Sequence, residues 1–277
     1  MGRSQAVASE RVFIVFFEDP ADRASGSLAL GTQAESSPVP SPLFARVTGV
    51  FASPARTFKD VARHPRFFAP FLATLILFAG FWGVVYLKLG LSGMAVAVTQ
   101  DLRRGKLVTQ DEIDFTLQFS RAVAPAVLIG GASAILVHLL IVAWAGARLG
   151  ALFFGVNLRL RVAVSLACYA YLAKAIVQTA LGIPMVLLGD IDGLNFGNLL
   201  PTNIAFFLDP KDASRTLYAL LQSLDLVQLW YFVLLGIGLS SDSDDPGIPA
   251  AMATTLAALW IGWNVFFAAF KDMLMRP

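Results

Sequence analysis

Residues 223–240 read SLDLVQLWYFVLLGIGLS. From Leu226 onward only Gln228 and Ser240 interrupt a run of apolar residues and glycine. A bilayer core demands such a run of a helix, the form of backbone that satisfies its own hydrogen bonds. Yet Asp225 stands at the lip of the run. Upstream, Asp209-Pro210-Lys211-Asp212 has the form of a helix start: a cap, then proline at the first position, then an acid in the first turn. Nothing between Pro210 and Gly236 is a strong helix breaker. The expectation is therefore one helix from Pro210, crossing the membrane at about 218–239. Asp225 is then mid-helix and about 10 Å below the surface, not a cap.

The rest of the chain repeats the apolar pattern. Of its 277 residues 57% are hydrophobic and 14% charged, with a mean hydropathy of +0.68. Soluble domains carry about 45–50% apolar and about 25% charged residues. The excess is gathered into runs at about 67–87, 122–144, 162–188 and 250–270. With 218–239 these predict an all-α polytopic membrane protein of five transmembrane helices, occupying residues 67–271.

Residues 1–42, rich in Ser, Ala, Pro and Gly, are expected to form a disordered polar tail. Its VFIVFF patch (12–17) is too short for the apolar core of a signal peptide, and Ala6 stands where myristoylation needs Ser or Thr. Residues 43–66 read as an amphipathic segment. Ser53-Pro54 starts a helix that Pro65 ends. Phe58, Val61 and Ala62 line one side, and Arg56, Lys59, Asp60 and Arg63 the rest, with Arg66 just beyond. Two placements are open: in the membrane interface with cations toward anionic headgroups, or packed on the protein's own surface.

Between the first two spans a helical hairpin is expected. Ala95–Arg104 is helical, Gly105 breaks it, and Thr109 with Glu112 forms a capping box for the next helix, which continues into the second span. Two stripes of small residues recur every four positions: Ala122, Ala126, Gly130 and Ala134, then Ala250, Thr254, Ala258 and Gly262. Such stripes let helices approach closely in lipid. For orientation, the segments on the N-terminal side hold eleven Lys and Arg and those opposite hold nine. The cluster from Arg56 to Arg66, beside the first span, places the N-terminus inside.

Three stretches resemble the Yip (Ypt-interacting protein) domain family in its bacterial form. They are GVFASPARTFKDVARHPRFFAPFL before the first span, RRGKLVTQDEIDF after it, and SLDLVQLWYFVLLGIGLS itself. The resemblance covers about residues 43–270. It implies a multi-pass protein of the bacterial inner membrane without known catalytic residues. Eukaryotic relatives associate with Rab-type GTPases and with each other in vesicle traffic, a pathway bacteria lack.

The residues themselves offer little chemistry. There is no phosphate-binding G-x-x-x-x-G-K-[ST], no H-E-x-x-H and no G-x-S-x-G. Cys168 is alone and His64 and His138 are far apart in sequence, so neither a disulfide nor a metal site is indicated, and no cofactor is implied. The net charge of +2 does not suggest nucleic acid. The reading is a non-enzymatic protein whose partners are the lipid bilayer and either a second copy or another membrane protein.

What remains is a set of polar residues at membrane depth: His138, Lys174, Gln178, Asp225, Gln228 and Asn264. An ionisable group there costs about 2.5–3.5 kcal/mol on insertion scales and is a functional candidate by default. Lys174 lies about 18–21 Å from either interface, too deep to snorkel easily. The sharp expectation pairs it with Asp225 across the third and fourth helices, with Gln178 placed to relay the contact. Polar groups that only hold the bundle together, and a wet cavity or proton path, stay open beside it. The alternative function is transport of an ion or small solute using Lys174 and Asp225.

Overall fold

The computed structural model describes residues 42–103, 109–189, 200–208 and 213–274. The expected tail, the break at Gly105 and the helix start at 209–212 lie outside the described residues. Among the described residues the fold is all helical, with one isolated bridge between Asn203 and Asp225. Eight α-helices follow in order: α1 (Leu43–Ala52), α2 (Pro54–Arg63), α3 (Phe68–Arg103), α4 (Gln110–Phe154), α5 (Leu160–Leu188), α6 (Arg215–Ser223), α7 (Leu226–Leu239) and α8 (Ile248–Leu274). A short 3-10 helix, Ile204–Phe207, precedes α6.

Among the described residues four helices are long and apolar enough to cross a membrane, over Phe68–Gly90, Ile129–Phe154, Leu160–Leu188 and Ile248–Lys271. The first arm of the expected hairpin is an extension of α3, and the second runs on into the membrane-crossing part of α4, as expected. In α3 the bend falls at Gly90 (φ 64°, ψ −179°), a conformation that a Cβ would strain. α4 starts at Thr109 as expected, and Glu112 Oε2 accepts from the Thr109 N–H at 3.1 Å.

α5 is the central helix. Ala163 through Ala170 are buried without interruption, Cys168 among them. Five of those eight are Ala, Ser or Cys, which lets the neighbouring helices close in. α7 and α8 meet most tightly at Gly236, where an added Cβ would strike the Pro249 carbonyl and lie 2.8 Å from Ala253 Cβ. At the same end Gly146 of α4 abuts Leu239, and Gly150 faces Met252. The two small-residue stripes do not make these contacts. Gly130 and Ala134 on α4, and Ala250, Thr254, Ala258 and Gly262 on α8, are all exposed.

The reading of 218–239 as the middle of one helix is corrected. α6 ends at Ser223, Leu224 leaves helical geometry (φ −83°, ψ 55°), and α7 begins anew at Leu226. Asp225 is the N-cap of α7: its Oδ1 accepts from the Gln228 N–H at 2.7 Å. The physical reason lies in a different segment. Thr202 supplies its carbonyl to the Leu226 N–H at 2.8 Å and its hydroxyl to Asp225 Oδ2. The backbone groups freed by the break are thus bonded by residues 202–203 and by the aspartate itself. α7 has 14 residues, about 21 Å of helix, which is short of a bilayer core of about 30 Å.

Candidate functional site: a polar cavity beside a half-buried lysine

The break opens onto a cavity of about 560 Å³ within the bundle. Phe78, Phe81 and Trp82 of α3, Tyr171 of α5 and Trp260 of α8 supply its aromatic walls. Its polar wall holds Gln178 and Thr179 of α5, Asp225 and Gln228 of α7, and Asn264 of α8. Asn203 and Gln222 close it on the side of α6.

Four of the six polar residues picked out in the sequence therefore line one space: Gln178, Asp225, Gln228 and Asn264. The other two stand behind the wall. Lys174 Nζ donates to Gln228 Oε1 and sits 5.3 Å from the ring centroids of both Tyr171 and Tyr231. That is cation–π distance, and the rings and the amide oxygen together replace part of the water the ammonium has lost. Among the described residues no carboxylate lies within ion-pair distance of Lys174. Gln228, not Gln178, links it to Asp225, with the side chain on Lys174 and the backbone N–H on the carboxylate.

His138 packs among Tyr171, Trp260 and Tyr231 at 5.6, 6.4 and 6.5 Å between ring centroids. Among the described residues its Nε2 has no hydrogen-bond partner, nor do Tyr231 Oη and Gln228 Nε2 nearby. Asn264 donates to the Trp260 carbonyl on its own helix at 2.8 Å, rather than across helices.

Three participants were absent from the expected network. Tyr171 and Tyr231 form the walls around Lys174, and Thr202 fixes Asp225. Tyr171 lies three residues before Lys174, a spacing that puts both on one helix face. Tyr231 lies three residues after Gln228, which again puts the two on one helix face. Thr202 carries no local signal, since its partner is 23 residues away.

The basic segment lies at the other end of the bundle. Phe58 and Val61 of α2 are fully buried, and a Cβ on Gly238 of α7 would lie 3.4 Å from the Phe58 ring. Arg56, Lys59, Arg63 and Arg66 all stay exposed. Lys59 and Arg63 also border a hollow of about 510 Å³ with Arg159, Asp242 and Asp244. Beneath them Arg46, missed in the sequence, is 2% exposed and bonds Asp60 at 2.9 Å and the His64 carbonyl at 3.1 Å.

Long apolar helices around a polar interior define a multi-pass integral membrane protein. Among the described residues no group of three His, Cys, Asp or Glu is placed to hold a metal ion. The Yip1 domain model matches residues 48–262, most of the chain, and the protein belongs to the Yip1 domain family. No curated protein and no solved structure is significantly similar to it.

Proposed function

We propose that this protein is a non-enzymatic member of its family that acts through protein or lipid partners in membrane organisation. The observation that carries this reading is the two-faced α2. Its apolar face is used up inside the bundle, so its cations Arg56, Lys59 and Arg63, with Arg66, are held outward as a rigid basic patch. Such a patch suits anionic headgroups at about 1 kcal/mol per cation, or an acidic partner. The outward stripe of α8 adds a second surface, on which a helix from another chain would approach closely in lipid. In this reading the N-terminus is cytoplasmic, the membrane is the bacterial inner membrane, and α6 with α7 serves as a broken fifth crossing.

Crosslinking in native membranes tests it. Recovered partners, or a second copy, should be lost when Arg56, Lys59 and Arg63 are changed to Gln, or when Ala258 and Gly262 are changed to Leu. If the unmodified protein recovers neither a partner nor itself, the reading fails.

A second reading, passage of a small solute or ion past Asp225 and Lys174, is favoured by the cavity alone. Reconstituted protein that moves no solute or proton, with Lys174→Met folding normally, would remove it.

A further inference from the structure

We infer that the hollow between α2 and the α7–α8 turn binds the headgroup of an aminophospholipid, a phosphodiester joined by a short spacer to a primary ammonium. The inference rests on the lipid side of the reading above and names the lipid.

Position comes first. The hollow is walled by α2, by the connection between α4 and α5, and by the turn between α7 and α8. The apolar span of α4 ends at Phe154, that of α5 begins at Leu160 and that of α8 at Ile248. The hollow therefore lies where hydrocarbon gives way to headgroups. Leu152, Phe153 and Leu160 flank its 157–159 wall in sequence and are exposed, so acyl chains have apolar surface to lie against.

Charge comes second. Lys59 and Arg63 of α2, Arg159 of the α4–α5 connection, and Asp242 and Asp244 of the turn all border the space. The two signs arrive on different segments, and all five side chains are exposed. Among the described residues none of the five is in an ion pair. The turn does not need these two acids. Asp245 closes it, with its Oδ1 accepting from the Gly247 N–H at 2.8 Å, and Ser243 Oγ accepts from the Asp245 N–H at 3.2 Å. Asp242 and Asp244 are left as acceptors on the hollow.

The pairing of signs narrows the occupant. Arginine and lysine donate to a phosphodiester. A head with only negative charge would gain those bonds but meet two carboxylates. A primary ammonium brings three donors to the carboxylates. A choline head has none, and among the described residues no aromatic side chain borders the hollow to hold it by a ring face. The volume of about 510 Å³ falls within the range of small-molecule sites, about 300–1,000 Å³.

The experiment titrates the full chain in detergent micelles with dioleoyl phosphatidylethanolamine, phosphatidylglycerol and phosphatidylcholine, and counts bound lipid by native mass spectrometry. The ethanolamine lipid should saturate a site at about three- to fivefold lower concentration than the others, the strength of one exposed ion pair. Asp242→Asn with Asp244→Asn should erase that preference, weakening the ethanolamine lipid and not the glycerol lipid. Both side chains are exposed, so the fold should be kept. Arg63→Gln with Arg159→Gln should weaken both lipids alike. Glycerophosphoethanolamine, the same head without chains, should compete only at far higher concentration; competition at the lipid's own concentration would overturn the lipid source. Equal binding of the three lipids, preference for the glycerol or choline lipid, or a preference that either double variant leaves unchanged overturns the inference and leaves the basic patch of the reading above in place. No saturable binding of any lipid overturns the inference and removes the lipid side of that reading with it, whereas the crosslinking reads the protein side separately.

Discussion

Two cations sit at opposite ends of this bundle, Arg46 buried and Lys174 half-buried, and they are held in different ways. Arg46 meets a carboxylate: its Nε is 2.9 Å from Asp60, a second nitrogen reaches the His64 carbonyl, and its guanidinium lies 5.9 Å from the Tyr169 ring centroid. It straps α1 to α2 where Gly236, Gly146 and Phe58 are packed without spare room. Lys174 meets an amide oxygen and two ring faces, next to a cavity and three polar atoms that have no hydrogen-bond partner among the described residues. The first has a carboxylate, although Arg46 Nη2 keeps no hydrogen-bond partner among the described residues. The second has no carboxylate within ion-pair distance among the described residues and stands behind the wall of a cavity. What separates the two cations is the kind of partner that holds each.

This contrast can be broken by mutation. The largest effect should come from Gln228→Leu, which leaves the Lys174 ammonium buried with only ring faces. A loss of about 3 kcal/mol is expected, as for any buried charge deprived of its partner, measured by unfolding in mixed detergent micelles. A loss below about 1 kcal/mol would mean that Lys174 reaches water by another route. Asp60→Ala should cost somewhat less, about 2 kcal/mol, because Asp60 keeps 31% of its side chain exposed and water can replace part of its role. Limited proteolysis should then cut between α1 and α2 sooner; an unchanged pattern would show that Arg46 is not the strap.

Lys174→Met should cost about 1 kcal/mol or less. It removes the charge that makes the Gln228 contact necessary, and an apolar side chain of similar length fills the space. Ala175→Phe should be nearly neutral, within about 0.5 kcal/mol, because the cavity has room for the ring. Gly236→Ala at the packed end is its control, with an expected loss of about 1–3 kcal/mol from overpacking. Equal costs for the two would show that the ends do not differ in packing.

The four long spans were legible because each is an apolar run that exceeds what a bilayer core needs. The helix break at 224–225 was not, because it depends on Thr202 and Asn203, which the local pattern cannot place opposite Asp225. A local trace of it did exist. Asp225-Leu226-Val227-Gln228 has an acid cap followed three residues later by glutamine, the form of a helix start, and the stronger-looking Asp209-Pro210 start masked it. Among the polar residues, depth alone identified Lys174 as unusual. Its partner could not be read the same way. Asp225 was the expected partner, with Gln178 as relay by its one-turn spacing, whereas the contact is made by Gln228, which the geometry of the break brings alongside. The outward turn of the small-residue stripes likewise needed the tertiary packing, since periodicity shows that residues share a face but not what the face meets.

The account rests most heavily on Lys174 being held by Gln228. A double-mutant cycle between Lys174→Met and Gln228→Leu measures that link directly, in the same micelle unfolding assay. The double variant should be more stable than the sum of the single losses predicts, with a coupling of about 1–3 kcal/mol. Additive losses, within about 0.3 kcal/mol, would show that the two side chains do not act together and would contradict the account.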